Sequence, residues 1–139
     1  RALTDMILWS SNTATNYVID TVTGTTGDTL LHGAEWMDFS VKRGRLNGWF
    51  QALDWPEFAG CTITQKLMDD TRYGREAQYA GAEGENLNLL TPLAAARLLW
   101  ELFEGDLPLS SAMRARAQDT LRRSASHPQA MSNEESIQA

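Results

Sequence analysis

The step from Thr91-Pro92 into a nearly unbroken apolar run constrains this chain most, because it fixes where a helix starts, which face it buries and where it stops. A threonine hydroxyl can accept from the free N–H groups of a first turn, and proline already has the φ of the first helical position. Ala95, Leu98, Leu99, Leu102 and Phe103 then recur at helical spacing and Gly105 is a stop, so a helix is predicted to run to Glu104 with those five on its buried stripe. Similar signals recur elsewhere. Leu3, Met6, Ile7 and Trp9 predict the end of a buried helix over 2–9; Ala14, Tyr17, Val18 and Val22 predict a helix over 13–22, stopped by Gly24. Leu46, Trp49, Phe50 and Leu53 predict another over about 44–53, ended by Pro56, and Ser110 caps a last one ending near Ser124. The fold class that follows is mainly α.

Between these segments lie less regular ones. The stretch 25–33, rich in Thr and Gly, reads as a loop. From 61 to 90 there is little sustained periodicity, which predicts a long irregular region with strand character only at Cys61 to Ile63; loops of that length are often functional. Beyond Ser124 the apolar pattern gives way to Ser, Asn, Gln and Glu, and a mobile tail is predicted over 125–139.

Composition removes several function classes. Twelve basic against eighteen acidic residues leave a net charge of −6, which argues against a nucleic-acid partner; Arg114, Arg116, Arg122 and Arg123 read as the solvated face of a helix. Cys61 is the single cysteine and reads as a small core residue, while His32 and His127 are isolated, so no disulfide, metal site or cofactor is predicted. No run approaches the ~20 apolar residues that cross a bilayer, and no signal peptide is visible. Because the chain opens on Arg1 inside an apparent helix, a preceding segment is expected.

The chemistry-bearing residues are Ser10-Ser11-Asn12, three small polar residues between two helical segments. A hydroxyl and a carboxamide two positions apart can relay a proton and hold a carbonyl oxygen. The same residue types also cap helices, and on their own they fit either role.

The longer run Met6-Ile7-Leu8-Trp9-Ser10-Ser11-Asn12-Thr13-Ala14-Thr15-Asn16 resembles the segment of class A β-lactamases in which an apolar helix leads into Ser-Asp-Asn-Thr-Ala and then Asn. Leu89-Leu90-Thr91-Pro92, followed by Ala94, Ala95, Ala96, Leu98, Leu99 and then Glu104-Gly105, is similar to the Thr-Pro helix after that family's omega loop. The order and separation of the two segments match the family.

The resemblance implies a helical domain over 1–124 of a two-domain α/β fold of the β-lactamase/transpeptidase-like type, with its antiparallel sheet largely missing and an omega-like loop at about 61–90. It implies that Ser10 passes a proton towards the leaving nitrogen during acylation, that Asn12 hydrogen-bonds the substrate's amide, and that Asn16 ties its helix to the omega loop. Ser11 departs from the family's Asp, whose role is to support the fold. Glu76 is the best match for the carboxylate that activates the deacylating water, with Glu83 and Glu85 as weaker ones, although the family's Glu-x-x-Leu-Asn pattern is missing. Asn88 falls where the family often has an Asp paired to an Arg, with Arg72 or Arg75 as its partner.

Neither Ser-x-x-Lys nor Lys-Thr-Gly occurs: Ser40 is followed by Arg43 three residues later, and Lys66 leads into Leu67 and Met68. The reading is therefore a fragment, inactive as given, of an enzyme that in full length takes a small β-lactam or peptide-like substrate, with the periplasm or the exterior as the compartment the family implies. The alternatives are a penicillin-binding D-alanyl-D-alanine peptidase, a non-catalytic helical binding module whose serines are only caps, and a degenerate homologue that binds a partner. Apolar faces left without the sheet predict self-association.

Overall fold

Hydroxyl side chains open three of the helices. In a computed structural model that describes residues 1–63, 66 and 72–122, Ser11 accepts from Ala14 N at 3.2 Å, Thr91 from Ala94 N at 3.1 Å and Ser110 from Met113 N at 3.2 Å. Each bond satisfies a first-turn N–H that otherwise has no partner in its helix. The helices are α1 (Ala2–Leu8), α2 (Asn12–Thr23), α3 (Gly33–Arg43), α4 (Arg45–Ala52), α5 (Gly74–Ala80), α6 (Pro92–Phe103) and α7 (Ser111–Leu121), with a 3-10 turn at Pro56–Phe58. Gly24 ends α2 in the left-handed region, φ 70°, as its position after the apolar stripe predicts. Among the described residues there is no strand; Thr62 and Leu89 form one isolated antiparallel bridge.

Helix α1 packs on α2 and α7, α6 on α7 and on the 3-10 turn, and α4 on both α2 and α3. The core is divided. Trp36 and Phe39 of α3 meet Tyr79 of α5, while Phe50 of α4 stacks on Phe58 at 5.0 Å, with Trp49 and Trp55 beside them. Ala94 and Leu102 anchor α6, and Ala14 and Ile19 anchor α2.

Several sequence expectations need correction. Helix α1 is not buried: Leu3 and Trp9 are exposed and no residue of the helix is fully covered. On α6, Ala95 and Leu98 are half-buried and Leu99 and Phe103 are exposed, so the covered face is turned towards Ala94, Glu101 and Leu102. Helix α3 begins where the chain was expected still to be irregular, and α5 lies inside the stretch 61–90 expected to be a loop. Cys61 is half-buried, with its thiol towards the Glu57 carbonyl.

One arginine departs from the expected solvated face of the last helix. Arg114 turns inward and its guanidinium donates to the carbonyls of Glu101, Leu102 and Leu107, closing the end of α6, while Arg116 and Arg122 stay exposed. Gln118 adds a bond to Leu102 O at 3.0 Å. These donors meet the orphan carbonyls of a helix C-terminus, where positive charge is also favoured. Arg123, His127 and the expected tail over 125–139 lie outside the described residues.

Candidate functional site

Helix α1 stops at Leu8, and the three residues that follow make a tight corner. Trp9 N closes α1 on the Asp5 carbonyl at 3.1 Å, and Ser10 takes φ 50°, which turns Ser11 N back to the same carbonyl at 3.3 Å. A non-glycine residue in this left-handed region carries roughly 1–2 kcal/mol of strain. Ser10 is exposed at the apex, and capping falls to its neighbour: the Ser11 hydroxyl takes Ala14 N, and the Ser11 carbonyl takes Thr15 N and the Thr15 hydroxyl, both at 2.9 Å. Asn12 is the first residue of α2 and Asn16 lies one turn further on; both are half-buried. Positions four apart share a helix face, so Asn12, Asn16 and Asp20 form one ridge along α2.

Asp20 leads from that ridge into a buried ion cluster. Arg43, at the end of α3 and fully covered, grips Glu76 of α5 with two parallel bonds, Nη1 to Oε2 at 3.0 Å and Nη2 to Oε1 at 2.8 Å. The same Nη2 lies 3.4 Å from Asp20 Oδ1, and Lys66 Nζ lies 2.5 Å from Asp20 Oδ2. The Thr25 hydroxyl donates to Asp20 Oδ1 at 3.2 Å, and the Arg43 guanidinium stands over the Phe39 ring, 4.9 Å from its centroid. Two cations thus face two carboxylates. A buried charge is tolerated only when it is paired and hydrogen-bonded in this way.

Glu76 is therefore neither on an irregular loop nor solvated. It sits in the first turn of α5 and is 2% exposed. The three residues that resemblance would gather at one site fall into two places: Ser10 and Asn12 at the start of α2, Glu76 beside its last turns. Asn12 and Asp20 are eight positions apart, about 12 Å along the helix axis.

The remaining candidates are local. Asn88 is exposed, next to Leu89 of the isolated bridge. Arg75 donates to Thr26 O, Thr29 O and the Thr29 hydroxyl, locking the 26–29 loop. Glu83 and Glu85 are exposed, and the Glu85 carboxylate accepts from Glu83 N at 3.2 Å. Sequence reasoning missed Asp20 and noted Arg43 and Lys66 only in the search for Ser-x-x-Lys and Lys-Thr-Gly motifs. The available signal was Trp36, Phe39 and Arg43 at helical spacing, which puts an arginine on an aromatic core face.

A family model described as the Beta-lactamase enzyme family matches residues 1–134. The chain belongs to the β-lactamase enzyme family. No curated protein and no solved structure gives a significant match. Within this β-lactamase-family chain the seven helices of the described residues are the helical part of a β-lactamase-like fold. The match spans both the Ser10–Asn12 corner and the Thr91-Pro92 helix start, the two features that carry the resemblance. No helix among the described residues is long and apolar enough to cross a membrane.

A concavity of this family member borders the α1–α2 corner and stands apart from the Arg43–Glu76 cluster. A groove of about 810 Å³ runs between α1 and α2, lined by Leu3, Tyr17, Val18 and Val22 with Arg116 at its edge, and it reaches Ser11 and Thr13 at the start of α2. Its lining is mostly apolar, with Arg1, Asp5 and the hydroxyls of Ser11, Thr13 and Thr21 among its polar members. The α1–α2 corner meets this groove through Ser11.

Proposed function

We propose that the protein built on this helical domain opens β-lactams, or amides and esters related to them, through an acyl-serine intermediate. The observation that carries the reading is the division of labour at the α1–α2 corner: Ser11 does the capping, so the exposed, strained Ser10 is not needed for the helix. In this reading a serine outside the described residues attacks the carbonyl, the C–N bond breaks, and Ser10 Oγ delivers a proton to the departing nitrogen. Asn12 donates its carboxamide N–H to the substrate's amide side chain, Asn16 and Asn88 hold the neighbouring backbone, and Ser11 replaces the usual Asp as a cap.

The test is intact-mass analysis of the full-length protein after exposure to a penicillin, with the flanking coding sequence read for Ser-x-x-Lys and Lys-Thr-Gly. Both motifs together with an adduct of the penicillin's mass are expected. Natural start and stop codons close to Arg1 and Ala139, with no adduct, would leave a non-catalytic helical module as the better description.

A second reading within the same chemistry is a penicillin-binding peptidase that releases its acyl group slowly. The bidentate Arg43–Glu76 pair favours it, because a base committed to a guanidinium is poorly placed to activate water. The time course of adduct loss separates the two: minutes or less for a lactamase, persistence for a peptidase.

A further inference from the structure

Resting on the acyl-serine reading, we propose that Glu76 and Arg43 are positioning residues that set the rotation of α2, and that Glu76 does not activate the deacylating water. General-base work needs a lone pair that can meet a water in line with the acyl carbonyl. Both Glu76 oxygens accept from Arg43, at 2.8 and 3.0 Å, and the residue is 2% exposed. Its place in the cluster is beside Asp20, in the last turns of α2, whereas the proton relay and amide-binding residues stand at the other end of the helix.

What the cluster can do from there is hold a rod. The Asp20 side chain takes bonds from Arg43, Lys66 and Thr25, and its carbonyl takes Gly24 N at 2.8 Å and Thr25 N at 3.1 Å. Because Asp20, Asn16 and Asn12 lie along one ridge, any rotation of α2 that moves Asp20 also moves the Asn12 carboxamide. Arg43 links that ridge to α3, and through Glu76 to α5. Glu76 acts on substrate only through Arg43 and Asp20.

The experiment compares wild-type full-length protein with Glu76→Gln, Arg43→Gln and the double variant, using benzylpenicillin and intact-mass time courses that give acylation and deacylation separately. Counting only acylated molecules makes the deacylation constant independent of how much protein is folded. Arg43→Gln leaves the Glu76 charge without its partner and Glu76→Gln leaves Arg43 the longer bond to Asp20, so acylation is expected to fall about tenfold, chiefly through KM, with a drop in Tm of roughly 5–10 °C. The double variant restores a neutral, hydrogen-bonded pair and is expected to recover acylation and Tm in part, with deacylation within about threefold of wild type throughout.

Deacylation slowed by ~100-fold or more in Glu76→Gln and in the double variant, with acylation intact, would overturn the proposal and make Glu76 the base. Strictly additive Tm losses would overturn it too, because positions 43 and 76 would then not act as a unit. If the wild type takes up no penicillin, the acyl-serine reading fails by itself; the Tm comparison still decides whether the two residues brace the fold.

Discussion

The α1–α2 corner and the Arg43–Glu76 cluster are both polar interruptions of an apolar scaffold, yet they are built in opposite ways. At the corner, Ser10 is exposed, strained at φ 50° and free of capping duty. In the cluster, every carboxylate oxygen of Asp20 and Glu76 accepts a bond, and Arg43 and Glu76 are almost wholly covered. The first arrangement leaves a strained hydroxyl open to solvent; the second ties every polar atom of two carboxylates into a fixed geometry. Both adjoin α2, so an exposed end and an anchored end share one helix.

Breaking the anchored end should have the larger thermodynamic effect. Arg43→Met leaves Glu76 buried without its partner, and denaturant melts are expected to show a loss of about 3–5 kcal/mol. The comparison sharpens when both partners go: Arg43→Met with Glu76→Leu should recover most of that loss, since apolar residues of similar volume often replace a buried pair at little cost. A double variant as unstable as the single one would mean that the cluster matters for more than its charge balance.

The exposed apolar side chains of α2 and α6 lead to a different expectation. Tyr17, Val22, Leu93, Trp100 and Phe103 are all exposed on the helices, and the groove beside Tyr17 is apolar. Exposed apolar area of this kind favours association, so the chain studied alone is expected to sediment as dimers or larger species at micromolar concentration. A monomer with a sharp two-state melt would show that these faces need no cover.

Smaller effects separate the two neighbouring serines. Ser11→Ala removes the cap of α2 and should lower stability by about 1 kcal/mol, as should Thr91→Ala at the start of α6. Ser10→Gly, which relieves the positive φ, should raise stability by up to about 1 kcal/mol, checked by the same melts. A loss at Ser10→Gly would indicate that its hydroxyl holds the corner together.

The helices that the sequence announces are those with uncharged apolar stripes, three of them also opened by hydroxyl caps. Thr91-Pro92 starts α6 and Ser110 starts α7 as read, and α4 falls where Leu46, Trp49 and Phe50 place it. The two that escaped, α3 and α5, share a physical cause: the covered face of each carries one half of an ion pair, Arg43 in α3 and Glu76 in α5. Hydrophobic periodicity counts a charge as solvent-facing, and here the two charges cancel inside. The Ser-x-Asn corner was legible because its residues are adjacent in the chain. The cluster was not, because 23 and 33 residues separate Arg43 from Asp20 and from Glu76.

The most direct measurement is the rate of penicillin adduct formation in full-length Ser10→Ala and Ser11→Ala, followed by intact mass beside the wild type. If Ser10 relays the proton, Ser10→Ala slows acylation by about 10²–10⁴-fold while Ser11→Ala, folded and below its Tm, stays close to wild type. Equal rates for the two variants, or slowing only in Ser11→Ala, would contradict the division of labour and return the Ser10–Asn12 corner to a helix cap.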